Sequence, residues 1–272
     1  MDIKLVVTDL DGTLLNDLKE IDPSFWPTHQ QLLQKGVLFS VASGRQIHTI
    51  EKDFERIAAD TLFIAENGTL VRYRGEDLYV NSLETGSLHE LLQTARQIPG
   101  VELVLCGRRS AYMEQKDPLL VEEAGKYYHR LEVVDRLDEV QDEVLKLALY
   151  DKLGAENNSA QKLQHFGDRY KVTVSGEHWL DVTNLDANKG NAVRRAQEKL
   201  GIGSEQTMVF GDFLNDLEMM EAADHSFAMK NAHPIIRERA RFITNRDNNH
   251  NGVVDTVVRL LLQPQAATFS RE

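Results

Sequence analysis

Asp9-Leu10-Asp11-Gly12-Thr13 is the stretch that decides how this chain folds. It follows the apolar run Ile3-Lys4-Leu5-Val6-Val7-Thr8, whose length and β-branching predict a buried strand. Side chains at positions i and i+2 of an extended segment point the same way. Gly12 then offers a turn. Two carboxylates are therefore expected at the carboxyl end of a first strand, where open α/β sheets bind ligands. Like charges held that close repel unless a cation or a shared proton neutralises them. The pair suggests a metal, or an acid–base partner for a nucleophile. Alone, the same string is also a common surface turn, so the reading depends on matching parts downstream.

Those parts follow in order. Residues 26–35 read as a helix with Leu32 and Leu33 on its apolar face and Gly36 as a stop signal. Residues 37–42 read as a second buried strand, 45–59 as helical, and 61–65 as a third strand. Strands separated by helical patterns imply right-handed βαβ units and a parallel sheet. The rhythm then changes to a hairpin across Arg74-Gly75-Glu76 and an α+β stretch of short strands. We expect an inserted domain at 82–187 and a core built from 1–81 and 188–272. The βαβ rhythm returns with a helix at 191–200, a strand at 206–210, a helix at 214–222 and a short strand at 226–229. A helix at 234–240, an extended piece at 241–244 and a helix at 253–262 follow. The tail 263–272 lacks periodicity. The fold class is thus α/β, a Rossmann-like parallel-sheet core with an inserted α+β domain.

Composition narrows the function. The chain has 272 residues with 42% hydrophobic and 27% charged content, enough for a substantial core. A net charge of -12 argues against nucleic acid and anionic membrane surfaces as partners. It leaves room for an anionic substrate neutralised by a metal and local cations. The single cysteine, Cys106, excludes an internal disulfide, and its flanks Leu103-Val104-Leu105 predict a core thiol. The opening Met1-Asp2-Ile3-Lys4 lacks the basic and apolar regions of a secretory signal, and no apolar run reaches the roughly 18 residues of a membrane span. A cytoplasmic protein is expected, a monomer or weak homo-oligomer.

Three further segments carry chemistry. Ser43-Gly44-Arg45 follows the second strand, where a hydroxyl and backbone N–H groups can hold phosphate oxygens. Asn188-Lys189-Gly190 stands at the return into the core, where a lysine could neutralise phosphate and aspartate together. Gly211-Asp212-Phe213-Leu214-Asn215-Asp216 follows another apolar strand. Asp212 and Asp216 are four apart and can face one cation from a first helical turn. Hard oxygen ligands suit Mg²⁺. Each segment has a plainer reading too: a loop pair, a solvated lysine, an N-cap at Asp212 or Asn215.

Together, Asp9-Leu10-Asp11-Gly12-Thr13-Leu14-Leu15, Ser43-Gly44-Arg45, Asn188-Lys189-Gly190 and Gly211-Asp212-x-x-Asn215-Asp216 resemble the four ordered motifs of the haloacid dehalogenase superfamily. The large insertion resembles that of the Cof-type (subfamily IIB) sugar phosphatases, which carry a type 2, C2B-like cap. The resemblance implies a Mg²⁺-dependent phosphatase of small phosphorylated metabolites, with sugar phosphates the leading class. It implies Asp9 as the nucleophile that becomes phosphorylated, and Asp11 as the acid and base. Asp9, Asp212, Asp216 and the Asp11 carbonyl would hold the metal, Asp216 directly or through water. Ser43, Gly44, Lys189 and Asn215 would hold the phosphoryl group. Arg45 is a candidate substrate contact. Alternatives are a phosphomutase or phosphotransferase on the same core, or a non-catalytic binder of phosphorylated metabolites. The segment Ala228-Met229-Lys230-Asn231-Ala232 also resembles the family, which often has Gly where Lys230 stands.

Other features point elsewhere. Asp247-Asn248-Asn249-His250-Asn251-Gly252 opens like an EF-hand loop, but the twelfth position is Val258, so the bidentate ligand is missing. The family resemblance implies that this segment is a loop near the core site, with Asn249 supporting phosphate binding or Asp216. The acidic run 138–143 reads as a solvated face. Trp179 reads as core of the inserted domain before substrate wall.

Overall fold

The computed structural model describes residues 2–114 and 116–263; beyond Gln263 the expected aperiodic tail lies outside the described residues. The elements run β1 (Leu5–Thr8), α1 (Phe25–Gln34), β2 (Leu38–Ala42), α2 (Ile47–Asp53), β3 (Thr61–Ala65), β4 (Leu70–Tyr73) and β5 (Glu76–Val80). Then come α3 (Thr85–Arg96), β6 (Val101–Gly107), β7 (Ala111–Met113), α4 (Pro118–Gly125), β8 (Leu131–Val133), β9 (Val144–Asp151) and α5 (Ser159–Leu163). The chain continues through β10 (Tyr170–Val174), β11 (Trp179–Asn184), α6 (Lys189–Leu200), β12 (Thr207–Gly211) and α7 (Leu217–Met220). It closes with β13 (His225–Ala228), α8 (Pro234–Arg239), β14 (Phe242–Ile243) and α9 (Gly252–Val257).

Contacts divide the chain into two compact units, Met1–Val41 with Gln197–Glu272, and Ala42–Ala196. In the first unit β14, β13, β12, β1 and β2 lie side by side, all parallel. Every residue of β1 and β12 is buried, as expected when a parallel strand is covered on both faces. Phe210, Phe227 and Phe242 stack across neighbouring strands at 5.2 and 5.0 Å between ring centres, each pair contributing about 0.5–1.5 kcal/mol beyond its burial. The expected helix at 214–222 is a 3-10 turn, Leu214–Asp216, followed by the short α7. The Asp216 carboxylate turns back onto the backbone N–H groups of Asp212 and Phe213, which tightens that first turn.

The second unit holds an antiparallel meander, β3-β4-β5, and a six-stranded sheet in the order β10-β11-β9-β6-β7-β8. Side chains alternate between the faces of the six-stranded sheet. Leu103, Leu105, Leu147, Leu149, Leu180 and Val182 pack with Leu91, Leu92 and Ala95 of α3 and with Leu163 of α5. On the other face Val104, Cys106, Met113 and Ala148 meet Ala124 and Tyr128. Cys106 is buried there, as expected, and burial pushes its thiol pKa up. Trp179 packs edge-on against Tyr127 and Tyr128 and tilts onto Tyr150, a core role.

Residues 42–81 and 82–187 fall within one compact unit. Physical ties explain this. Gln46 exchanges hydrogen bonds with the backbone of Arg130, and Thr49 bonds the backbone of Tyr127 and His129. Lys146 forms an ion pair with Glu66. The acidic run is a solvated face only in part, since Glu139 and Glu143 are exposed while Asp138 and Asp142 are largely covered. Asp138 pairs with Arg96, Glu143 with Arg108 and Asp142 with Arg109, and the Asp142 side chain is only 3% exposed.

Candidate active site

In the first unit, β1 delivers Asp9 as its next residue, and the Asp9 N–H donates to the Phe210 carbonyl at 3.0 Å, which extends the β1–β12 ladder. The side chain is thereby fixed at the carboxyl ends of the two central strands. The next residues turn away at Gly12, whose φ is +81°. A Cβ at Gly12 would collide with the Asp212 carboxylate, so glycine is required twice over, by conformation and by space. Thr13 Oγ1 donates to Asp212 Oδ1 at 2.8 Å. Asp216 Oδ2 accepts from the Asp212 N–H at 3.0 Å and from the Phe213 N–H at 3.3 Å.

The outcome is that carboxylate oxygens of Asp9, Asp212 and Asp216 all lie within 4.8 Å of one another. Asp9 is 7% exposed and Asp216 fully buried. Three acids held that close, with two of them out of water, suit a cation among them. The donors are hard oxygens, the set a magnesium-sized ion takes. The N-cap reading of Asp212 does not hold, since its carboxylate faces Thr13 across the strand ends.

Asp11 stands apart from this trio. Its carboxylate is 39% exposed and pairs with Lys19 Nζ at 2.9 Å. Asn215 lies exposed in the 3-10 turn between Asp212 and Asp216. Asn231 was missed as a site residue. Its side-chain amide donates to the Gly12 carbonyl at 2.8 Å and so fastens the Asp-turn, while its Oδ1 accepts from the Asn248 N–H. The signal was present in the Met229-Lys230-Asn231 segment. Lys230 does not have a positive φ, so no glycine is needed there; its N–H simply donates to Thr244 Oγ1.

The 247–252 loop behaves as a clamp. Asn248 donates to the Leu15 carbonyl and to Asp17, and Asn249 both donates to and accepts from Asp17. Asn249 therefore braces the turn after the first motif through Asp17. These amides hold the Asp17 carboxyl below its usual range.

In the second unit the remaining motifs come together. Ser43 is 2% exposed and Lys189 is fully buried at the start of α6. The turn Glu66-Asn67-Gly68 joins them. The Asn67 N–H donates to the Ser43 carbonyl at 3.0 Å, and Gly68 packs so tightly on the Asn188 carbonyl that a Cβ would collide with it. The Arg45 N–H bonds Ser43 Oγ at 3.2 Å, while its guanidinium pairs with Asp53 of α2 at 3.1 Å.

Buried acids gathered at the ends of parallel strands, offering hard oxygens to a cation, are a set of groups that phosphoryl-transfer enzymes use. A family model described as haloacid dehalogenase-like hydrolase matches residues 6–257, and the chain belongs to that family. It is 35% identical over 267 residues to the 5-amino-6-(5-phospho-D-ribitylamino)uracil phosphatase YbjI of Escherichia coli (strain K12), covering 96% of this chain and 97% of that protein. It is 27% identical over 262 residues to the phosphatase YcsE of Bacillus subtilis (strain 168), which carries the same substrate name, covering 94% and 95%. The fold also matches the crystal structure of TM0651 from Thermotoga maritima, with TM-score 0.82 and 26% identity over 95% of this chain and 97% of that one. The chain is accordingly a phosphatase of this family. No helix among the described residues is long and apolar enough to cross a membrane.

Proposed function

We propose that the protein hydrolyses small phosphorylated metabolites, sugar phosphates foremost, in a Mg²⁺-dependent reaction that passes through a phosphorylated Asp9. The observation that carries this reading is the convergence of Asp9, Asp212 and Asp216 oxygens within 4.8 Å at the ends of β1 and β12. Those three side chains and the Asp11 carbonyl would hold the ion. When bound, it supplies charge neutralisation for the phosphate oxygens and for the crowded carboxylates.

This chain's own residues do the rest. The Asp9 carboxylate attacks phosphorus; an O–P bond forms to Asp9 as the ester O–P bond breaks. Asp11 gives its proton to the leaving oxygen, then takes one from the water that cleaves the acyl phosphate. Phosphate leaves and both acids return to their starting states. Ser43, the Gly44 N–H, Lys189 and Asn215 hold the phosphoryl group through the transfer. Asp9, Asp11 and Asn215 belong to the first unit, and Ser43, Gly44 and Lys189 to the second.

Two relatives bear a name in which the phosphate sits on a ribityl chain, which supports a phosphorylated polyol or sugar as the substrate class. The 82–187 segment is proposed as the cap that selects the leaving group. Rapid quench of the enzyme with substrate, followed by mass spectrometry of the peptide containing Asp9, tests the chemistry. A phosphoryl adduct on Asp9 is expected; turnover with no adduct on that peptide contradicts it.

A further inference from the structure

Glu66, Asn67 and Gly68 have φ of +49°, +54° and +98°. For Glu66 in particular this is a disfavoured backbone, since its Cβ crowds the following carbonyl. Something outside the turn must hold it. The turn matters because it touches both phosphate-motif segments. The Glu66 N–H donates to the Arg45 carbonyl at 3.1 Å and the Asn67 N–H to the Ser43 carbonyl at 3.0 Å. The Asn67 amide lies so near Gly44 that a Cβ there would sit 2.9 Å from its nitrogen. Gly68 meets the Asn188 carbonyl.

The holding group comes from the six-stranded sheet. Lys146 of β9 reaches the Glu66 carboxylate at 2.8 Å, and Asp181 of the adjacent β11 stands 3.4 Å from the same ammonium. Lys146 and Glu66 side chains are 6% and 1% exposed, so neither can exchange its partner for water. Burial pushes the Glu66 carboxyl up while Lys146 works to keep it charged. One cation therefore serves two buried acids, and its removal would leave Glu66 no reason to stay inside.

We propose that Lys146 is a positioning residue for phosphoryl binding. Through Glu66 it locks the 66–68 turn, and through Asn67 it fixes the Ser43–Gly44 loop that receives the phosphoryl group. This rests on the proposed role of Ser43 and Gly44 above.

The test is a double-mutant cycle between Lys146 and Asn67, read by titration calorimetry of inorganic phosphate onto the Mg²⁺-loaded protein and by kcat/KM on p-nitrophenyl phosphate. Lys146→Met is expected to weaken phosphate binding and lower kcat/KM by about 10- to 100-fold, the scale of a small misplacement of a binding loop. Lys146→Arg should retain most of both. In an Asn67→Ala background, which removes the amide beside Gly44 but keeps the backbone bond to Ser43, Lys146→Met should cost less than it does alone, because the two act in one chain of contacts. Should Lys146→Met fail to fold by circular dichroism, Glu66→Gln takes its place, keeping shape and losing charge. Unchanged phosphate affinity, even with a lowered melting temperature, overturns the proposal, as do effects that simply add. Asp9→Asn separates the two readings. If it is inert while the Lys146 variant behaves as wild type, the hydrolase reading stands and this one falls; if it is active while the Lys146 effects appear, the reverse holds.

Discussion

Thr13 Oγ1 donates a 2.8 Å hydrogen bond to Asp212 Oδ1, joining residues 199 positions apart in the sequence. The bond ties the Asp212 carboxylate to the turn that follows Asp9 and Asp11. Replacing Thr13 by Val keeps the shape and removes the donor. Mutations of groups that orient a metal ligand typically cost about 10- to 100-fold in metal affinity. Thr13→Val should therefore need about that much more Mg²⁺ for half-maximal phosphatase activity, with the fold intact by circular dichroism.

Gly12→Ala tests the space and the backbone together. Its φ of +81° is strained for any residue with a Cβ, by roughly 1–2 kcal/mol, and that Cβ would strike the Asp212 carboxylate. The variant should unfold at lower urea and lose Mg²⁺ activation as well. Retention of wild-type Mg²⁺ response would show that Asp212 is placed by something other than the Gly12 turn.

Asp151 is one of the carboxyls that contribute to acid stability in the second unit. Burial works to raise its pKa, but the side chain of Asn158 and the N–H groups of Ser159 and Leu153 donate to its carboxylate and hold the pKa below its ordinary value. A depressed carboxyl stabilises the fold fully above its unfolded pKa of about 4 and loses that contribution as pH falls through the lower folded value. Urea melts of the wild type should weaken below about pH 4. Asp151→Asn should be less stable at neutral pH by about 1–3 kcal/mol and show a shallower decline in acid.

Much of this organisation was legible in the sequence because it is local. Apolar runs ending in Asp-x-Asp-Gly, Ser-Gly or Gly-Asp predict strands that stop at ligand-binding ends, and β1, β2 and β12 do so. Hairpin β4–β5 followed from Arg74-Gly75, both of which take positive φ. The helix α4 and strand β8 were not foreseen. Leu119 is 74% exposed and Glu132 and Val133 also face solvent, so neither element has a readable apolar stripe. The start of α4 was marked, since Asp117 accepts from the Leu119 N–H ahead of Pro118. Lys146 lay within the apolar run Leu145–Tyr150 as a single charge, but its partners Glu66 and Asp181 are long-range and leave no periodic trace. The bonds between Asn249 and Asp17 join residues 232 positions apart and so leave no local trace in the sequence either.

The central claim is that acids from both ends of the chain gather around one magnesium ion beside a carboxylate that takes up phosphate. Phosphate release from a sugar-phosphate panel, measured with Mg²⁺, after EDTA, and with Asp9→Asn, tests it most directly. Activity should vanish with chelator, return when Mg²⁺ is restored, and be absent in Asp9→Asn. Turnover that persists without metal, or an Asp9→Asn protein as active as the wild type, contradicts the account.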